Sequence, residues 1–155
     1  MTSLEPELEP ELATAVRRQV ADVRGIPASA LLAEVPTPRA VIVALHGGAT
    51  TSAYFDHPGH PRLSLLRTAA LAGYTVLALD RPGYGSSAGH EDLLRTPEQR
   101  TDFAHEAVTA LLDGRERGSG TFLWAHSAGC ELALRMASDP RGAHVLGLEL
   151  AGTGR

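Results

Sequence analysis

Ser127 stands in the run Thr121-Phe122-Leu123-Trp124-Ala125-His126-Ser127-Ala128-Gly129-Cys130, where an apolar stretch ends at a serine held between small residues and an amphipathic stretch begins at once. That order reads as a strand, a sharp turn and a helix. A serine at the tip of such a turn has its hydroxyl presented at a sheet edge, with the backbone N–H groups of a helix N-terminus behind it, which is how a nucleophile is placed. Small residues at Ala125 and Gly129 fit this picture. Strand and helix nearly touch at such a corner, and a larger side chain would clash with the strained backbone around the serine. The five residues have the form G-x-S-x-G, with Ala125 in place of the first glycine. The plainer alternative is a Ser/Ala/Gly turn that performs no chemistry.

Two other stretches punctuate the same kind of position. His46-Gly47-Gly48-Ala49 closes the apolar run 40–45, and paired glycines there let bare backbone approach whatever lies over the strand end. Asp80-Arg81-Pro82-Gly83-Tyr84-Gly85-Ser86-Ser87 follows the apolar run 74–79 as a glycine-punctuated loop. His57, His60 and His90 fall in loops on this edge and are expected to be solvated. His126 is expected to point away from the site, and His105 sits on a helix. Asp56, His57 and His60 do not make a metal site, because a proline separates the histidines and no further ligand run follows. No metal and no cofactor are expected. Cys130 reads as a small buried hydrophobe; as the single cysteine it excludes an internal disulfide and a thiolate cluster and favours a reducing, intracellular setting.

The elements that must position these residues alternate. Runs at 20–24 and 29–35, separated by Gly25-Ile26-Pro27, predict an antiparallel hairpin. Residues 40–45 predict a strand covered on both faces. Residues 61–72 predict a crossover helix, with Leu63, Leu66 and Ala70 at helical spacing, Pro61 near its start and Gly73 past its end. A strand at 74–79 follows. Thr96-Pro97-Glu98-Gln99 is a capping box for a helix ending near Gly114, with Phe103, Ala107, Ala110 and Leu111 on its apolar stripe. The strand 121–125, the helix 128–138 stopped by Asp139-Pro140, and a sixth strand at 145–150 complete the pattern. A hairpin followed by strands alternating with helices predicts a mostly parallel α/β sheet of about six strands with right-handed crossovers. Function in such sheets gathers at the carboxyl ends of the strands, where His46-Gly47-Gly48, the Asp80 loop and Ser127 all fall.

Composition agrees with one globular domain: 155 residues, 43% hydrophobic and 21% charged. The net charge is −4, and the 14 basic residues are scattered arginines, which leaves no electrostatic footprint for nucleic acid or an anionic membrane. The N-terminus lacks a signal-peptide profile, and no apolar run approaches the roughly 18 residues that span a bilayer. A soluble, cytoplasmic protein is expected. Residues 1–12 repeat a Leu-Glu-Pro-Glu unit in which charge and proline oppose a packed helix, so 1–18 is expected to be a flexible acidic arm and 19–155 the folded domain.

The hairpin, His46-Gly47-Gly48, the loop from Asp80 to Ser87 and Ala125-His126-Ser127-Ala128-Gly129 together resemble the α/β-hydrolase superfamily, from about residue 20 onward. The resemblance implies Ser127 as the nucleophile, forming a covalent acyl-enzyme that water later hydrolyses. It implies an oxyanion hole from the N–H of Ala128 and that of Gly48, or of Ala49 one residue on. A serine favours ester, thioester or amide substrates over the carbon–halogen chemistry that relatives perform with aspartate. The histidine and carboxylate that follow the serine in that family are the point of departure. After Ser127 come only His144, Glu131, Asp139 and Glu149, and the helix 128–138 carries Asp139 and His144 about 15 Å to the opposite edge. The chain therefore reads as an incomplete α/β-hydrolase fold lacking the last strands, with base and acid in a missing C-terminal segment or a second chain.

The alternatives are a catalytically inactive fragment or binding module, and a nucleotide-binding Rossmann domain. The latter is disfavoured because Gly47-Gly48 and Gly83-x-Gly85 do not form G-x-G-x-x-G. The expected partners are a small-molecule acyl substrate and either a complementary C-terminal chain or a second copy. The strand 145–150 would present an open apolar edge guarded only by Glu149.

Overall fold

A computed structural model describes residues 14–153. Six strands form one sheet in the order β1-β2-β4-β3-β5-β6. β1 (Val16–Val23) and β2 (Ile26–Ala33) are an antiparallel hairpin, and β2 pairs antiparallel with β4 (Thr75–Leu79). β3 (Val41–Leu45), β4, β5 (Thr121–His126) and β6 (Val145–Ala151) run parallel. The expected mostly parallel α/β sheet is therefore present, with β3 at its centre and every β3 residue buried.

The hairpin is longer than its composition predicts and turns one step earlier. Arg24 and Gly25 make the turn with φ of 51° and 83°, and the Gly25 N–H donates to the Asp22 carboxylate at 3.0 Å. Ile26 and Pro27 lie in β2, opposite Val23 and Asp22. Proline is tolerated there because β4 pairs with β2 only over Ala30–Ala33, so residue 27 has a neighbour strand on one side alone. Val16, Arg17 and Arg18 belong to β1 rather than to an arm. The acidic repeat itself, within residues 1–13, lies outside the described residues.

The predicted helix 61–72 is shorter. Pro61–Leu63 form a 3-10 turn, and α1 (Leu65–Leu71) starts after Ser64. The buried Ser64 hydroxyl donates to Asp56 at 2.6 Å and accepts from the Arg67 N–H at 3.3 Å, a cap that fixes the helix start four residues late and leaves Leu63 72% exposed. α2 (Pro97–Leu111) carries the expected capping box: Thr96 Oγ1 accepts from the Gln99 N–H at 3.1 Å, and Gln99 Oε1 accepts from the Thr96 N–H at 2.9 Å. α3 is Gly129–Ser138.

One sheet face packs Val41, Val43, Leu45, Leu77, Leu79 and Leu123 against Phe103, Ala107 and Leu111 of α2 and Leu132, Ala133 and Met136 of α3. The other packs Ile42, Ala44, Val76 and Ala78 against Leu66, Ala69 and Ala70 of α1. β6 is an edge strand, as its sequence predicts. Its register sets Leu148 and Leu150 beside Leu123 and Ala125, on the face that α3 covers, and Gly147 and Glu149 beside Phe122 and Trp124. Leu146 and Leu148 are exposed, and Trp124 stands on the barely covered face of β5.

Candidate functional site

The carboxyl ends of β3, β4 and β5 lie side by side and bring the three punctuated stretches together. Ser127 adopts φ +51°, a left-handed conformation that costs a non-glycine residue about 1 kcal/mol or more. Two hydrogen bonds hold it there. The Ser127 N–H donates to the Ala151 carbonyl at 2.8 Å, and the Cys130 N–H donates to the Ser127 carbonyl at 2.9 Å. The corner is as tight as its small residues predict. A Cβ on Gly129 would lie 2.4 Å from the Leu45 carbonyl oxygen and 2.7 Å from that of His46, and Ala125 is fully buried. Ser127 and Ala128 themselves are exposed at the tip.

The β3 loop leans over this tip. A Cβ on Gly47 would come within 3.3 Å of Ser127 Cβ and 3.0 Å of His126 Nδ1, so glycine is what lets the loop approach. Gly48 and Ala49 are exposed, and Ala49 has φ +56°. Among the described residues, the N–H groups of Gly48 and Ala128 donate to no protein acceptor. The sequence-predicted Ser127, Gly48 and Ala128 thus belong to adjoining segments of one exposed rim.

Sequence reasoning missed what holds that rim. His46 is fully buried; its Nε2 accepts from the Arg81 N–H at 3.0 Å, which leaves the proton on Nδ1 to be donated to the Gly47 carbonyl at 2.7 Å. Burial pushes the His46 pKa below its ordinary value and keeps the ring neutral. The Arg81 guanidinium donates to the same Gly47 carbonyl at 3.1 Å and lies over the Tyr84 ring at 4.8 Å. The buried Asp80 carboxylate accepts from Ser29 Oγ at 2.5 Å and from the Ser52 N–H at 2.7 Å, while Ser29 Oγ accepts from the Ser86 N–H at 2.9 Å. Gly85 has φ +58°, and a Cβ there would sit 2.2 Å from Asp80 Oδ2. Asp80 therefore ties the loops after β3 and β4 to β2. The Asp-x-x-Gly-x-Gly pattern was the available signal, but its serine partner lies 51 residues away.

No described histidine hydrogen-bonds to the Ser127 hydroxyl. His126 stacks on Tyr54 at 4.9 Å, with its Nδ1 buried and unpartnered among the described residues. His57 and His60 pack on one another in solvent. His144 precedes β6, whose first residue pairs with Thr121, so it stands at the amino end of the strands, about 20 Å along β5 from Ser127. There it lines a cleft of about 610 Å³ with Arg24, His105, Glu106 and Arg141. Asp139 is bound to Arg141, which holds its carboxyl below the usual carboxylate range. Neither reaches the serine, as the helix length predicts. Cys130 is buried, which pushes its thiol up. Among the described residues no cluster of His, Cys, Asp and Glu could hold a metal, and no helix is long and apolar enough to cross a membrane.

Comparison with known proteins agrees with this geometry. Protein ABHD14A of Danio rerio is 42% identical over 74 residues, 48% of this chain and 25% of that protein. A CIB-like hydrolase from Thermoplasma acidophilum superposes with a TM-score of 0.69 at 20% identity, covering 88% of this chain and 64% of that one. The thioesterase domain from the curacin biosynthetic pathway gives 0.67 at 22%, covering 88% and 46%, and an epoxide hydrolase from Solanum tuberosum gives 0.67 at 16%, covering 88% and 39%. The chain thus spans about two thirds or less of each of these proteins. The sequence model described as the alpha/beta hydrolase family matches residues 42–152, most of the folded part, and with the elbow at Ser127 this establishes that the chain belongs to the alpha/beta hydrolase family.

Proposed function

We propose that the chain carries the nucleophile and oxyanion hole of a serine hydrolase acting on a small-molecule ester, thioester or amide. The observation that carries the reading is the exposed, left-handed Ser127 set against a glycine turn whose Gly48 N–H, like that of Ala128, has no protein acceptor. Ser127 Oγ attacks the acyl carbon and gives its proton to a base; the carbonyl oxygen takes the displaced electron pair and is met by the two N–H groups. Collapse expels the alcohol, thiol or amine, which leaves protonated. Water then attacks the acyl-serine by the reverse proton path, releasing the acid and restoring the hydroxyl.

The base and its carboxylate partner are assigned to polypeptide other than residues 14–153, because no described histidine is bonded to Ser127. The open edge of β6 is the place to receive that polypeptide, or a second copy. The same observation favours one alternative, a catalytically inactive binding module that keeps the elbow without turnover.

A fluorophosphonate probe, read by intact mass, separates the two. In an assembly that contains the missing acid and base, labelling at Ser127 that disappears in Ser127→Ala supports the nucleophile; labelling of the mutant at the wild-type rate refutes it. Hydrolysis of p-nitrophenyl esters by the 155-residue chain alone should be slight, since without a base most activation of the serine is lost. Ordinary enzyme rates dependent on Ser127 would show that a base lies within the chain.

A further inference from the structure

We infer that Arg81 and His46 are positioning residues that clamp the Gly47–Gly48 peptide and aim its N–H at the developing oxyanion, an inference that rests on the reading of Gly48 as a donor. A Gly-Gly peptide is the easiest in a protein to rotate, because neither residue has a Cβ to restrict it. The loop cannot escape this by substitution at residue 47, where a Cβ would crowd His126 Nδ1 at 3.0 Å. Something else has to fix the plane. In a trans peptide the C=O and N–H point in opposite directions, so holding the carbonyl of Gly47 fixes the direction of the Gly48 N–H.

Two donors hold that carbonyl, one for each lone pair: His46 Nδ1 at 2.7 Å and Arg81 Nη2 at 3.1 Å. Arg81 acts twice, since its own backbone N–H donates to His46 Nε2 at 3.0 Å and so sets the tautomer in which Nδ1 carries the proton. Both side chains are immobilised on one ring. Tyr84 meets His46 edge-on at 4.9 Å and lies under the Arg81 guanidinium at 4.8 Å.

The charge on Arg81 is also spent unusually. It forms no ion pair among the described residues, and its Nε is buried without a partner. His46, Tyr84, Arg100 and Glu131 are titratable groups that face it, and burial pushes its pKa down. A half-buried cation without a counterion is costly to a fold. Here its positive charge bears on the peptide that would meet the oxyanion, and donors on a carbonyl strengthen the N–H of the same amide. Arg81 also lines a groove with Ala128, beside the second donor.

The test uses the full 155-residue chain, 15N-labelled, as wild type, Arg81→Met and Arg81→Lys. The first readout is the Gly48 amide by NMR. Arg81→Met should move it and speed its exchange with solvent, while a stably folded protein keeps the amides of β3 unchanged; Arg81→Lys, which retains one cationic donor, should recover part of the shift. The second readout is the rate of Ser127 labelling by a fluorophosphonate. Loss of a whole oxyanion donor costs about 10²–10³-fold, so loss of one of two clamps should slow labelling about tenfold. A Gly48 amide unmoved in Arg81→Met overturns the clamp. A moved amide with a labelling rate within twofold of wild type overturns its part in positioning. Absence of Ser127 labelling in the wild type within an assembly that supplies the base would instead refute the hydrolase reading, and the Gly48 amide of the isolated chain would still decide whether the clamp exists.

Discussion

Gly129→Ala places one methyl group where the elbow helix meets the central strand, and the two effects of that change have opposite signs. Alanine is the better helix former by about 1 kcal/mol, so at the first position of α3 it would stabilise the protein if space allowed. Space does not allow it. The methyl would stand 2.4 Å from the Leu45 carbonyl oxygen and 2.7 Å from that of His46. Both are backbone atoms of buried residues, which cannot swing aside as a side-chain end does. Reaching ordinary contact requires α3 to move from β3 by about 1 Å, and overpacking of this kind costs about 1–3 kcal/mol. The clash should win by up to about 2 kcal/mol, a fall of up to roughly 8 °C in Tm for a domain of this length. Urea unfolding at pH 7.5 measures it, with Gly59→Ala as control, since nothing lies within 4 Å of a Cβ there. The same displacement drags Ser127 and the Ala128 N–H away from the Gly47 turn, so labelling at Ser127 should fall by more than stability alone accounts for. Gly129→Ala more stable than wild type would refute the close approach and, with it, the geometry of the elbow.

Further outcomes follow from other parts of the fold. Stability should fall as pH drops below about 6.5, because His46 and His105 have pKa values pushed down by burial. The unfolded chain then binds protons that the folded chain does not, so stability rises with pH across this window; urea midpoints that increase from pH 7.5 to 5.5 would contradict it. Asp80→Ala leaves Ser29 Oγ and the Ser52 N–H without their buried acceptor and should cost about 2–3 kcal/mol by chemical denaturation, whereas a loss under 0.5 kcal/mol, about the scatter of an ordinary surface change, would remove Asp80 from its joining role. The 155-residue chain should self-associate at micromolar concentration through β6, and Leu148→Lys should reduce this; sedimentation of the wild type as a monodisperse monomer would show that the edge is not available.

Most of the element order was legible because its signals are local. The capping box at Thr96 to Gln99, the proline stop at 140 and the unbroken apolar runs at β3 and β4 each report on backbone a few residues away, and the structure repeats them. The elbow was legible for the same reason: strand, turn and helix are contiguous, and small residues at 125 and 129 are required by sterics at a single corner. Local signals misplaced boundaries where a distant group took over. Asp56 captures Ser64 and delays α1, and pairing with β1 draws Ile26 and Pro27 into β2 instead of the turn.

What only the tertiary structure decided is how the rim is held. Asp80 meets Ser29 across 51 residues, Arg81 meets His46 across 35, and both contacts exist because β4 is laid between β2 and β3 in a sheet whose strand order no local pattern encodes. The same holds for the two faces of β6. Its apolar, lightly charged residues and its place at the edge were readable, but that Leu148 turns toward the helical face and Glu149 toward Trp124 is set by register. Propensity and spacing act over one or two turns of chain, whereas hydrogen-bond partners of buried polar groups are chosen by whichever strands the whole sheet brings together.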